Sequence, residues 1–136
     1  MSNILTIKGT LPSLNEYINT ERSNRFAASK MKKQWTELVA WEAKEQKIKK
    51  FNKPVYMRYT WYCKDTRTDK SNISATGRKF IEDGLVLAGV LQGDGWKHIE
   101  GFSDEFKIDK DRPRVEVLLN DYQGEEGELY KIAYED

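Results

Sequence analysis

Residues 67–99, RTDKSNISATGRKFIEDGLVLAGVLQGDGWKHI, decide how the rest of the chain is read. Phe80, Ile81, Leu85 and Ala88 recur at three- and four-residue spacing, which predicts a helix between residues 73 and 88. Gly77 is a weak point inside it and Gly89 its stop. Asp69 stands where an apolar, strand-like run gives way to the helix, and Asp94 sits in a turn between Gly93 and Gly95. Lys79 and Asp83 are four apart and share a helix face. They read either as a surface ion pair worth about 0.3–0.5 kcal/mol or as a lysine placed to neutralise phosphate charge.

Working outward, residues 55–63, VYMRYTWYC, alternate and are dense in β-branched and aromatic side chains, which predicts a central strand. Met31, Trp35, Leu38, Val39 and Ala43 mark one face of a helix over 29–48, with Ser29 as N-cap and Pro54 beyond its end. The lysines of residues 47–53, KIKKFNK, suit the negative end of that helix. Residues 4–11 alternate as a strand, with Leu5, Ile7 and Leu11 on one face, and the polar stretch 12–28 reads as a loop. Residues 96–109 and 114–119 read as two strands joined by a polar turn. The expectation is a single α+β domain over residues 1–120, in the order β-α-β-α-β-β, its mixed sheet packed by two helices. An acidic tail follows over 121–136.

A chain of 136 residues, 38% apolar with four Trp, supports one core and not two. No run is long enough to span a membrane and the first residues lack the pattern of a secretory signal, so a soluble, cytoplasmic protein is expected. Cys63, the one cysteine, reads as a small buried residue, and His98, the one histidine, gives little support to a histidine zinc site or a serine triad. The net charge of +1 is unevenly spread: residues 121–136 carry six carboxylates against Lys131, a balance of −5, which leaves +6 on residues 1–120. A basic body suits a polyanion, while the mixed charged surface of an ordinary soluble domain accounts for a modest excess about as well. Arg22, Arg25, Lys30, Lys32 and Lys33, interleaved with Tyr17 and Phe26, are the candidates for gripping a phosphate backbone.

Carboxylates at strand ends and tight turns, with a lysine between them, suit a hard cation such as magnesium beside a phosphodiester. Convergence of Asp69 and Asp94 is demanding. A helix over 73–88 is about 24 Å long, or roughly 17 Å if it begins after Gly77, and the extended stretch to Asp94 retraces about 20 Å. Completion of the site by a second subunit is the alternative.

The order Asp69, Asn72, Lys79, Asp83, Gly89-Val90, Asp94 resembles the RusA-type Holliday-junction resolvases of bacteria and their phages. The likeness extends to residues 11–33, LPSLNEYINTERSNRFAASKMKK, and covers most of residues 4–119. It implies a homodimer that binds four-way DNA junctions and cuts paired strands with magnesium, or manganese in its place. It further implies that Asp69 and Asp94 ligate the metal, that Lys79 and Asp83 complete the catalytic set, and that Asn15, Tyr17 and Asn72 join the basic residues in holding DNA. The chain departs from the pattern in two ways. Ser71 stands where the family has a second aspartate, and the spacer before Lys79 is longer. A hydroxyl binds a divalent cation more weakly than a carboxylate, so Ser71 implies weaker metal affinity, recruitment of Asp65 or Asp83, or an inactive branched-DNA-binding protein. A protein-interaction module whose acidic tail mimics DNA or covers the basic face is a third reading.

Overall fold

The computed structural model describes residues 2–121. The acidic tail from residue 122 onward, and with it most of the expected tail segment, lies outside the described residues. Seven elements follow in order: β1 (Ile4–Lys8), α1 (Leu14–Ser23), α2 (Arg25–Glu45), β2 (Val55–Cys63), α3 (Lys70–Leu87), β3 (Ile99–Ile108) and β4 (Arg114–Asp121). They form a mixed four-stranded sheet in the order β1-β4-β2-β3, with helices packed against it. The β2–β3 pair is parallel and joined through α3, while β4 runs antiparallel to both β1 and β2.

Strand alternation sets the layers. Leu5, Val117 and Tyr59 fall in one register row and Ile7, Val115 and Trp61 in the next, and all six are buried. Ile4, Leu118 and Arg58 take the opposite face. The strand at 55–63 is central, as expected, with β4 on one side and β3 on the other.

The helix count is a correction: the described residues hold three, because residues 14–23 form α1 rather than a loop. The Ser13 hydroxyl accepts from the Glu16 N–H at 3.2 Å, a cap written in a stretch whose polarity suggests a loop. The N-cap of α2 is correspondingly Asn24, not Ser29. Its side chain accepts from the N–H groups of Phe26 and Ala27, and its own N–H closes α1 on the Thr20 carbonyl. Residues 96–98 are turn and not strand, since β3 starts at Ile99.

Two glycines let α3 sit close. A Cβ on Gly84 would lie 2.5 Å from Val39 on α2, and one on Gly77 2.8 Å from the Trp61 ring on β2. Gly77 is therefore a point of close approach inside an unbroken helix. Gly89, at φ +77°, ends it as expected. No helix among the described residues is long and apolar enough to cross a membrane.

Candidate active site

α3 carries Asp69 at its N-cap and Lys79 and Asp83 on its third and fourth turns. Phe80, Ile81, Gly84 and Leu85 are buried against α2 and the sheet, which leaves Lys79 on the wet side. Its ammonium donates a hydrogen bond to Asp94 Oδ2 and lies 3.3 Å from Asp83 Oδ1. Lys32 on α2 reaches to 4.0 Å from the other Asp83 oxygen. The three elements thus meet in an alternating chain of charge: Lys32, Asp83, Lys79, Asp94. The bond from Lys79 holds the Asp94 carboxyl below its ordinary pKa, and the same bond raises the lysine, against the opposing effect of its partial burial.

Residues that sequence reasoning did not single out support this cluster. Arg78, next to Lys79, turns the other way and forms an ion pair with Asp104 on β3, its guanidinium 4.2 Å from the centre of the Phe102 ring. The Trp61 indole N–H donates to the second Asp104 oxygen at 2.9 Å. These contacts tie α3 to β2 and β3 directly behind Lys79. Glu82, on the next turn, is pushed up from the ordinary carboxylate pKa by burial, with Lys79 partly offsetting it. The partners of Arg78 and Trp61 lie 26 and 43 residues away, so no local pattern announces them.

The other end of α3 is open. Asp69 occupies the N-cap position, where its carbonyl accepts from the N–H groups of Asn72 and Ile73 while its side chain makes no cap bond. Neither Ser71 nor Asn72 is the cap. Asp65, Thr66, Thr68, Asp69 and Ser71 help line a cleft of about 570 Å³ whose walls also include Lys70, Lys107 and the apolar Ile73, Phe106 and Ile108. Asp65 accepts from the Arg67 N–H at 3.0 Å.

The structure brings Lys79, Asp83 and Asp94 together and leaves Asp69 apart. Ten residues of helix put roughly 15 Å between the Cα atoms of Asp69 and Lys79. Lys79 is shared with Asp83, one turn further on, so its ammonium and the bound Asp94 stay at the far end. Carboxylates sharing one magnesium ion each bring an oxygen to about 2.1 Å from it. The expected pair of Asp69 and Asp94 therefore does not converge within one chain. Among the described residues no three or more His, Cys, Asp or Glu side chains are grouped to hold a metal. A hard cation would find oxygens in the cleft where Asp69 stands with Asp65 and hydroxyls, since magnesium is commonly held by one or two carboxylates plus water and phosphate.

Arg22, Arg25, Lys30, Lys32 and Lys33 are all exposed on α1 and α2, as is Asn15 in the first turn of α1. Phe26, 86% exposed, stands among them. Tyr17 differs: its ring packs edge-on against Phe80 at 6.0 Å, at the margin of the core. Asn72 is half-buried in the first turn of α3. His98 lies in the turn before β3, against Gly93. Cys63 is half-buried rather than buried, and its thiol pKa is raised by that burial. No protein-family model matches the chain, and no curated protein is significantly similar to it.

Proposed function

We propose that this chain is a magnesium-dependent, structure-specific endodeoxyribonuclease that cuts paired strands of four-way DNA junctions, acting as a homodimer in the cytoplasm of a bacterial host. The observation that carries the reading is the bond between Lys79 and Asp94, fifteen residues apart, beside the cationic face of α2. An ammonium has three N–H donors. Asp94 and Asp83 engage two of its directions, which fixes the cation and leaves a donor for a phosphate oxygen. Lys79 stabilises charge on the scissile phosphate, Asp83 and Asp94 position it, and Asp69 with Asp65 from the second protomer would supply oxygens to the metal, because within one chain the two ends of α3 stand too far apart to share a phosphate. A magnesium ion bound there would furnish an activated water and stabilise the departing oxygen. Arg22, Arg25, Lys30 and Lys33 hold the backbone, and two-fold symmetry matches two equivalent strands.

The second reading is a branched-DNA-binding protein without catalysis. It is favoured by Ser71 in place of an aspartate and by the engagement of Asp94 with Lys79 instead of with a carboxylate group fit for a metal. Incubation with a synthetic four-way junction and magnesium separates the two. Paired nicks in opposing strands are expected; tight binding with intact strands at high metal concentration rejects the enzyme.

A further inference from the structure

We infer that Trp96 is a stacking platform for a nucleobase exposed at a DNA branch point, next to the phosphate that Lys79 addresses. This rests on the nuclease reading and adds to it the element that tells a branch from a continuous duplex.

Trp96 is 97% exposed, the most open large apolar side chain of the described residues. It does not ride on a loose loop. Val90 and Leu91 both donate to the Leu85 carbonyl and are buried. On the far side, the N–H groups of His98 and Ile99 converge on the Gly95 carbonyl at 3.0 and 3.1 Å, and the His98 carbonyl accepts from Val55 N–H at 3.0 Å. The His98 ring packs so closely on Gly93 that a Cβ there would lie 2.6 Å from it. The turn is thus tied at both ends and across its middle, and it presents an indole to water. An exposed Trp on an anchored turn offers an apolar surface of about 150–250 Å² to whatever approaches.

The neighbours identify what approaches. Trp96 is two residues from Asp94, at most about 7 Å along the chain, and Asp94 holds Lys79. A Cβ on Gly95 would meet nothing within 4 Å, so the approach beside Trp96 is open. Lys97, exposed, follows directly. An indole flanked by cations is suited to a strand whose phosphates meet Lys79 and Lys97 while a base lies on the ring, the combination by which single strands are bound. In a continuous duplex base faces are covered by their neighbours, so only the backbone cations engage. At a branch the stack is interrupted and a face is free for Trp96.

The test uses the full chain in EDTA, so that binding is read without cleavage. Anisotropy measures affinity for a four-way junction and for a duplex of the same arm sequence, and 2-aminopurine at the branch reports stacking. Trp96→Ala should weaken junction binding about 5- to 150-fold, the range for loss of one base–aromatic stack, with duplex affinity unchanged and the 2-aminopurine quench lost. Trp96→Phe should recover most of both. Preference of the wild type for the junction, with Trp96→Ala equal to it in affinity and quench, overturns the stacking role alone. Wild-type chain that binds neither DNA overturns the nuclease reading and this role with it. Sedimentation guards against another occupant: a wild-type dimer that Trp96→Ala converts to monomer makes Trp96 a contact between copies and overturns the role. Because Trp96 is exposed, an unchanged thermal melt is expected for both variants.

Discussion

The two ends of α3 are built from similar residues and differ in how far their charge is already answered. Toward the C-terminal end, Lys79 lies between Asp83 and Asp94, with Lys32 beyond and the Arg78–Asp104 pair behind. At the N-terminal end Asp69 makes no cap bond and faces a cleft with Asp65 and hydroxyls. The first end is a cation held in place by its own protein. The second is a set of carboxylates and hydroxyls at the positive end of a helix dipole, held more loosely, with Arg67 on Asp65 and with Lys70 and Lys107 in the cleft wall. In the proposed nuclease, preorganisation would be concentrated where charge develops, and ligand capacity where a metal or phosphate enters.

The largest expected effect asks whether the two ends serve one reaction. Asp69→Asn and Lys79→Ala should each slow single-turnover junction cleavage about 10²–10³-fold, the cost of losing one electrostatic contact to a transition state. Residues that act as a unit are not additive, so the double variant should be little slower than either single one. If Asp69→Asn cleaves at the wild-type rate while Lys79→Ala does not, the open end has no part in the chemistry.

The next effect tests the rod that joins them. Gly84→Ala places a methyl 2.5 Å from Val39 and 2.9 Å from the Thr36 carbonyl. Overpacking of this kind costs about 1–3 kcal/mol, to be read from urea melts, and should disturb both ends of α3 together. An unaltered midpoint would show that α2 and α3 part without cost.

The cationic face supplies a smaller contrast. Lys30→Ala and Lys33→Ala should each lower the slope of log affinity against log salt by about one, as for the loss of one phosphate contact. Lys32 is near Asp83, so its removal should change the slope less. Equal slopes for all three variants would mean that the Asp83 contact leaves Lys32 as available to DNA as its neighbours.

Much of the frame was legible in the sequence because alternation and helical spacing report burial directly. The central strand at 55–63, the stop at Gly89 and the buried face of Phe80, Ile81 and Leu85 all follow from local pattern. α1 was not legible as a helix, since its residues are polar and none is buried, so its identity rests on the Ser13 cap more than on an apolar stripe. The expected pair of Lys79 and Asp83 is present, but its link to Asp94 depends on how the turn folds back. The Arg78–Asp104–Trp61 contacts exist only once β3 lies beside β2. Ser71 could be seen to weaken a metal site; that Asp94 would turn to Lys79 instead of Asp69 could not, because it depends on which way a lysine leans along the helix.

The smallest effect is on stability, and its sign follows from the same ion pair. Asp94 is held below its ordinary pKa by Lys79, so the folded state favours its ionised form. Its contribution is complete above the unfolded aspartate value of about 3.9 and is lost as pH falls through the lower, folded value. Lys79 is raised, so its share is complete below the unfolded lysine value of about 10.4 and is lost as pH climbs through the folded one. The melting-temperature difference between wild type and Asp94→Asn should therefore be flat through neutral pH and shrink at both the acid and the alkaline extremes. Glu82 carries the opposite sign: its carboxyl is raised mainly by burial, so folding is favoured as pH falls through the folded value. Glu82→Gln should stabilise at pH 7 and confer less advantage at pH 4. If Asp94→Asn instead leaves the acid limb of the melting curve unchanged, Lys79 is not answering Asp94 in solution. The two ends of α3 would then be equally open.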